Sequence, residues 1–137
     1  MSRSRAYREQ VAAFRQMFAQ FPNDIGEVRD AVVRSQLIKL NGLLHAYFKM
    51  EEQYIYPDLI KAGDPALRGL AKEFRDDLVP LADEFDEFYT VWSRPGACMT
   101  DPRTFLGEWR NVKLALNARL DREERELFTA FDRVRTA

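Results

Sequence analysis

Apolar residues recur at spacings of three and four along most of this chain. That spacing places them on one face of an α-helix, because a helix turns by about 100° per residue. Four stretches show the pattern, starting near Ser4, near Asp24, after Asp64 and after Asp101. No stretch alternates with the period of two that a half-buried strand requires. The sequence therefore predicts an all-α protein, most economically an up-down-up-down antiparallel four-helix bundle.

Aspartate, glycine and proline mark the predicted helix ends. Asp24 and Glu27 have the spacing of a capping box, so the second helix is predicted to begin there. Gly63-Asp64-Pro65 combines a helix-ending glycine with an N-cap and a first-turn proline, and Asp101-Pro102 repeats the second signal. Residues 93–100 are the least periodic and are predicted to form a loop. A kink or an end is expected at Pro57, and Pro80 is expected to bend the third helix.

The 137 residues are predicted to form a single domain, residues 1–137. The formal net charge is −1, which gives neither the basic surface typical of nucleic-acid binding nor an acidic tail. No apolar run approaches the length of a membrane span, and the first residues lead into an amphipathic segment and not into a signal sequence. We therefore expect a cytoplasmic protein that binds neither nucleic acid nor membrane.

The chain has one cysteine, Cys98, and one histidine, His45. A single thiol excludes an internal disulfide framework and a zinc site built on several cysteines. The only basic neighbour of Cys98 in the predicted loop is Arg94, so an inert thiol is favoured over a redox-sensing one. His45 lies about 100° from the centre of the apolar stripe on the second helix and is predicted to be a surface residue.

Two glutamates interrupt the apolar stripes of the second and fourth predicted helices. Glu51 lies within roughly 20° of Leu44 on the helical wheel, and Glu123 lies within roughly 20° of Leu116. A carboxylate that faces a bundle core costs several kcal/mol unless it is paired, protonated or bound to a metal. Inward glutamates on different helices are one way in which helical bundles build a dinuclear metal site.

The segments Tyr47–Pro57 and Arg119–Phe128 resemble the two copies of a pattern found in hemerythrin-like (HHE cation-binding) domains. The pattern reads His, apolar, two variable residues, Glu-Glu, two variable residues, apolar, aromatic, Pro. The resemblance implies four antiparallel helices around an oxo- or hydroxo-bridged di-iron centre. Histidines from all four helices and the two motif glutamates would then be the ligands. Glu51 and Glu123 match those glutamates and are the candidate metal ligands of this chain.

The histidines of the pattern are replaced in this chain. Tyr47 and Arg119 occupy the two motif positions. Phe14 and Phe74 are the candidates for the replaced ligands on the first and third helices, and Thr129 stands where the second motif usually has proline. An iron centre without imidazoles would keep mainly carboxylate and phenolate oxygens. The ligand count therefore favours a degenerate site without a cofactor, and di-iron or another carboxylate-ligated metal is the alternative.

Arg119 is predicted to stand in for the metal, because a guanidinium has a permanent positive charge and five donors. The prediction is a metal-free polar cluster of Glu51, Glu123, Arg119 and the Tyr47 hydroxyl. One carboxylate would be protonated, since a single arginine leaves a net charge of −1. In the alternative, Arg119 extends outward and a modest helix rotation brings the glutamates to solvent.

The functional hypothesis is a non-catalytic bundle, not an enzyme, that binds another protein or itself. One alternative is a metal-bearing sensor or carrier of oxygen, nitric oxide or redox state. Another is a regulator that sequesters a transcription or signalling protein in a helix groove. Most aromatic residues lie on the apolar stripes, but four lie off them and are predicted to form an exposed patch for a partner: Tyr54, Tyr56, Tyr89 and Phe128.

Overall fold

The structure is a computed structural model that describes residues 2–134. Its helices are α1 (Arg5–Ala19), α2 (Asp30–Met50), α3 (Tyr56–Lys61), α4 (Pro65–Trp92), α5 (Ala97–Thr100), α6 (Pro102–Arg122) and α7 (Phe128–Arg133). A π-helical turn, Glu51–Ile55, joins α2 to α3, and a second, Glu123–Leu127, joins α6 to α7. Residues 2–134 contain no strand, so the all-α prediction is confirmed.

Four long rods make up an antiparallel bundle. They are α1, the continuous α2–α3 rod, α4, and the continuous α6–α7 rod. The first rod contacts α2 and α6, and α4 contacts the same two helices from the other side. The inward faces of all four rods share one apolar core, in which the Trp109 ring stacks on Phe21 with their centroids 4.0 Å apart. No described helix is both long enough and apolar enough to cross a bilayer.

Several predicted helix ends are present in the structure. The Asp64 side chain accepts a hydrogen bond from the Ala66 amide, and that of Asp101 accepts one from the Thr104 amide. Gly63, at the preceding helix end, has a φ of 77°, a left-handed conformation that glycine adopts without steric cost. Pro80 lies inside α4, which continues from Pro65 to Trp92.

The predicted start of the second helix at Asp24 is wrong. The Asp24 side chain does accept a hydrogen bond from the Glu27 amide, but it caps only a 3₁₀ turn, Ile25–Glu27. Val28 and Arg29 are then extended, and α2 begins at Asp30. Val28 is buried, so the extended pair carries an apolar side chain into the core before the long helix starts. The predicted loop at residues 93–100 also differs, since its last four residues form α5.

The two π-turns change which residues face the core after each motif glutamate. The Tyr56 amide donates to the Glu51 carbonyl, and the Phe128 amide donates to the Glu123 carbonyl, each across five residues. Each π-turn adds one residue to a helical turn and so shifts the following side chains by about 100° on an ideal wheel. Tyr56 and Phe128 are therefore buried, and the predicted exposed patch is wrong for both. Tyr54 is 58% exposed.

Candidate functional site

Both motif glutamates lie at the centre of the bundle, on the apolar stripes of α2 and α6 that lead into the π-turns. Glu51 begins the first π-turn and Glu123 begins the second, and both side chains are 0% exposed. Arg119 lies one turn before Glu123 on α6, and Tyr47 lies one turn before Glu51 on α2. With Tyr56, the first residue of α3, these side chains form a buried polar cluster. We call these five residues the buried cluster.

The Arg119 guanidinium connects the two glutamates. Its Nε donates to Oε2 of Glu123 at 2.9 Å, and its Nη2 donates to Oε2 of Glu51 at 2.9 Å. Nη2 also donates to the Tyr56 hydroxyl at 2.7 Å, and Nη1 donates to the Phe74 carbonyl at 2.8 Å. Only 6% of Arg119 is exposed, so the alternative in which this side chain extends to solvent is wrong.

Two tyrosine hydroxyls complete the hydrogen bonding of the carboxylates. The Tyr47 hydroxyl donates to Oε1 of Glu123, and the Tyr56 hydroxyl donates to Oε2 of Glu51 at 2.7 Å. Burial raises the pKa of both phenols, and the neighbouring glutamates raise it further. Both tyrosines therefore stay protonated near neutral pH. They act as hydrogen-bond donors and not as phenolate ligands.

The pKa of Glu123 is shifted toward the protonated form. Burial raises the pKa of Glu123 well above its usual value, and the charge of Glu51 and a hydrogen bond to Glu51 raise it further. A proton on Glu123 gives the two glutamates one hydrogen-bond donor. The matching acceptor is Oε1 of Glu51, which is buried and has no other hydrogen-bond partner among the described residues. A proton on one of the two carboxyl groups offsets the charge that a single guanidinium leaves and brings the net charge to zero. This neutrality removes most of the penalty for burying the group.

Aromatic rings close the buried cluster on the sides of α1 and α4. The Phe14 ring meets the Tyr47 ring edge-on, with their centroids 5.2 Å apart. The Phe74 ring contacts two guanidinium groups, with the central carbons of Arg119 and Arg122 each 4.7 Å from its centroid. Such contacts stabilise a cation when it is removed from water. The positions proposed for the replaced ligands thus carry rings that pack on the cluster.

These residues do not fit a di-iron centre. A guanidinium lies between the two carboxylates and is bonded to both. Residues 2–134 contain no group of three or more histidine, cysteine, aspartate or glutamate side chains that could hold a metal ion. His45 is on the outer surface, where its Nε2 lies 2.9 Å from Oδ1 of Asp86. An imidazole-rich iron site needs several more ligands than these residues offer. The groups that are present form an internal salt bridge.

Sequence reasoning missed Tyr56, which links Arg119 to Glu51. On a regular wheel Tyr56 falls off the apolar stripe, and only the π-turn rotates it inward. Cys98 is fully buried, and burial raises its pKa, followed by the effect of Asp30. A raised pKa disfavours the reactive thiolate.

The model of the hemerythrin HHE cation-binding domain matches residues 5–131. The chain belongs to this family. The match spans every rod of the bundle and both motif glutamates, so the resemblance drawn from the two motifs is confirmed. Comparisons with the curated proteins and with the solved structures found no match. Within the hemerythrin fold, this chain keeps the two glutamates and places a guanidinium between them.

Proposed function

We propose that this hemerythrin-family chain is a metal-free, non-catalytic bundle that acts in the cytoplasm by binding another protein or itself. The observation that carries the proposal is the double salt bridge of Arg119 to Glu51 and Glu123. In that arrangement the two carboxylates are neutralised from within the chain. A bundle that neutralises its buried carboxylates without a metal can serve as a stable scaffold. Its outer surface is then available to bind a partner.

The burial of the cluster supports a role without catalysis. Glu51 and Glu123 are 0% exposed, and aromatic rings cover the cluster on the sides of α1 and α4. A general acid or base must come within hydrogen-bond distance of a substrate atom. The raised pKa of Glu123 by itself resembles that of a catalytic acid, but internal ion-pair networks produce the same shift. We therefore assign the raised pKa to burial and to the neighbouring Glu51.

A metal-bearing sensor or carrier is the second candidate, because the family is a cation-binding one. For a metal to bind between the glutamates, Arg119 would have to leave four hydrogen bonds and its contact with the Phe74 ring. The displaced guanidinium would also need a new partner or a path to solvent. The donor set supports this candidate less well than the metal-free one.

Elemental analysis tests the proposal. The chain is purified without chelator from cells grown with added iron, and the metal-to-chain ratio and the visible spectrum are measured. We expect far less than one metal ion per chain, no visible absorption band, and a melting temperature that added ferrous ion does not raise. About two irons per chain with an oxo-to-iron absorption band would overturn the proposal in favour of a di-iron centre.

A further inference from the structure

A cleft of about 510 Å³ lies between the α1–α2 connection and the start of α6. Residues 23–26 form one wall, and Arg103, Leu106 and Arg110 form the other. We call it the arginine cleft. Its volume is in the range of sites that hold small organic molecules. Helix α6 rises by about 24 Å between Arg103 and Arg119, so the arginine cleft is separate from the buried cluster.

Helix geometry places both arginines of the cleft on one side of α6. Arg103, Leu106 and Arg110 are spaced by three and four residues, which brings them onto one side of the helix. The two arginine positions are about 10 Å apart along the helix axis, and two long side chains can close that distance around one ligand. Leu106 lies between them and is only 5% exposed, so it forms an apolar floor.

The α1–α2 connection orients one of the two guanidinium groups. Nη2 of Arg110 donates to the Asn23 carbonyl at 3.3 Å, which uses one of its five N–H donors. In the 3₁₀ turn that follows, the Asp24 side chain accepts from the Glu27 amide at 3.2 Å. Ile25 is 43% exposed in the same turn. This wall therefore adds an accessible apolar side chain to a backbone that hydrogen bonds hold in place.

The arginine cleft has positive charge that the described part of the chain does not neutralise. Within residues 2–134, neither Arg103 nor Arg110 forms an ion pair with a carboxylate. Asp24 also lines the cleft, so two guanidinium groups and one carboxylate give a net charge of +1. Farther along the α1–α6 groove, Arg15 is paired at 2.7 Å and 2.8 Å with two acidic residues of the α6–α7 rod. Ion pairs thus close the groove at Arg15 but not at the arginine cleft.

We propose that the arginine cleft binds a small organic anion, in which a carboxylate or phosphate group is attached to an apolar body. A guanidinium is planar and matches the oxygens of either group with two parallel hydrogen bonds. The apolar body packs on Leu106 and Ile25. The net charge of the cleft favours a ligand with one or two negative charges. This ligand site goes beyond the proposed interaction role and does not depend on it.

The test titrates the whole chain with phenyl phosphate and follows the backbone amide signals by heteronuclear NMR. We expect saturable shifts confined to residues 23–26 and to the first half of α6. Inorganic phosphate lacks the apolar body and should bind about tenfold more weakly. Benzoate carries a carboxylate on the same ring, so saturable binding of benzoate or of phenyl phosphate supports the proposal. The tighter of the two identifies the anionic group.

Three variants test the residues of the arginine cleft. Arg103→Gln with Arg110→Gln should weaken phenyl phosphate binding by about tenfold or more, because it removes hydrogen bonds from charged donors. The matched control is Arg68→Gln with Arg75→Gln, which removes two exposed arginines of the same spacing from α4 and should leave the affinity unchanged. Asp24→Asn keeps an oxygen that can cap the 3₁₀ turn but removes a negative charge, so it should bind phenyl phosphate more tightly than wild type.

Several outcomes would overturn the proposal. One is the absence of saturable shifts with either aromatic anion at millimolar concentration. Shifts spread over the surface, or equal losses of affinity in the α4 control and the cleft variant, would indicate non-specific attraction of anions to exposed arginines. Inorganic phosphate that binds as tightly as phenyl phosphate would remove the apolar body from the proposal. Circular dichroism establishes that each variant is folded, and weaker binding by Asp24→Asn than by wild type would contradict the charge argument.

Discussion

Nη2 of Arg119 donates to Oε2 of Glu51 at 2.9 Å, although the two residues are 68 positions apart in the chain. The same guanidinium binds Glu123, four residues further along its own helix, so one side chain joins the second and fourth rods. Both carboxylates are fully buried. The stability of the core therefore depends on a charge balance as well as on apolar packing.

Replacing Arg119 with leucine should destabilise the fold strongly. Leucine keeps apolar bulk but leaves two buried glutamates without a cation, and breaking a buried pair in this way costs about 3–5 kcal/mol. Urea denaturation at neutral pH measures the change in the free energy of unfolding. Arg125→Leu is the control, because Arg125 is exposed and donates to the Asp121 carbonyl of its own rod, so its replacement should change the free energy of unfolding by about 0.5 kcal/mol or less. Equal stability of Arg119→Leu and wild type would show that the cluster does not hold the fold together.

The raised pKa of Glu123 should make stability fall as pH rises. Between the ordinary carboxyl pKa of 4.5 and the raised value in the fold, the native state binds the proton more tightly than the unfolded state. The contribution of Glu123 is fully present below the unfolded pKa and is lost as pH rises through the folded pKa. The Glu123→Gln variant cannot titrate there, so its free energy of unfolding should decline less between weakly acidic and alkaline pH.

The control for that pH series is Glu52→Gln, at the exposed neighbour of Glu51. It should reproduce the pH profile of wild type. Glu123→Gln should also lower the absolute stability, since an amide nitrogen cannot accept hydrogen bonds and both Glu123 oxygens do so. Parallel profiles for wild type and Glu123→Gln would mean that Glu123 is ionised in the fold.

Removing the Tyr56 hydroxyl should cost more than removing the Tyr47 hydroxyl. Tyr56 accepts from Arg119 and donates to Glu51, whereas Tyr47 donates to Glu123. Each Tyr→Phe change leaves a buried polar partner unsatisfied at about 1–3 kcal/mol, and Tyr56→Phe removes two bonds. Tyr54→Phe is a matched control, because Tyr54 is 58% exposed. Thermal melts of the three variants give the order, and a smaller loss for Tyr56→Phe than for Tyr47→Phe would contradict it.

Free guanidinium should rescue a chain that lacks the Arg119 side chain. Arg119→Ala leaves a cavity beside two carboxylates, and a guanidinium ion that binds only the folded state raises the melting temperature. The measurement is the melting temperature of the variant at guanidinium concentrations too low to denature wild type, with equal sodium chloride as the ionic control. A rise in guanidinium but not in sodium chloride would locate the effect in the cavity. The same response in Arg122→Ala would assign it to the surface.

Most of the secondary structure followed from local patterns. The apolar spacing marked each rod, and Asp64 and Asp101 cap their helices as their sequence positions predicted. The π-turns did not follow, because a wheel with a constant 100° per residue has no place for an added residue. Tyr56 and Phe128 were therefore placed on the wrong side of their helices, and Tyr56 was missed as a member of the buried cluster.

Helical periodicity is a local property, so the sequence was enough to predict that two glutamates face the core and that an arginine lies one turn before Glu123. The direction of the Arg119 side chain depends on how the rods pack. A long, flexible side chain can reach either solvent or the bundle centre from the same helix position. The choice depends on partners from three other elements, Glu51, Tyr56 and the Phe74 carbonyl, which meet only when the rods pack together.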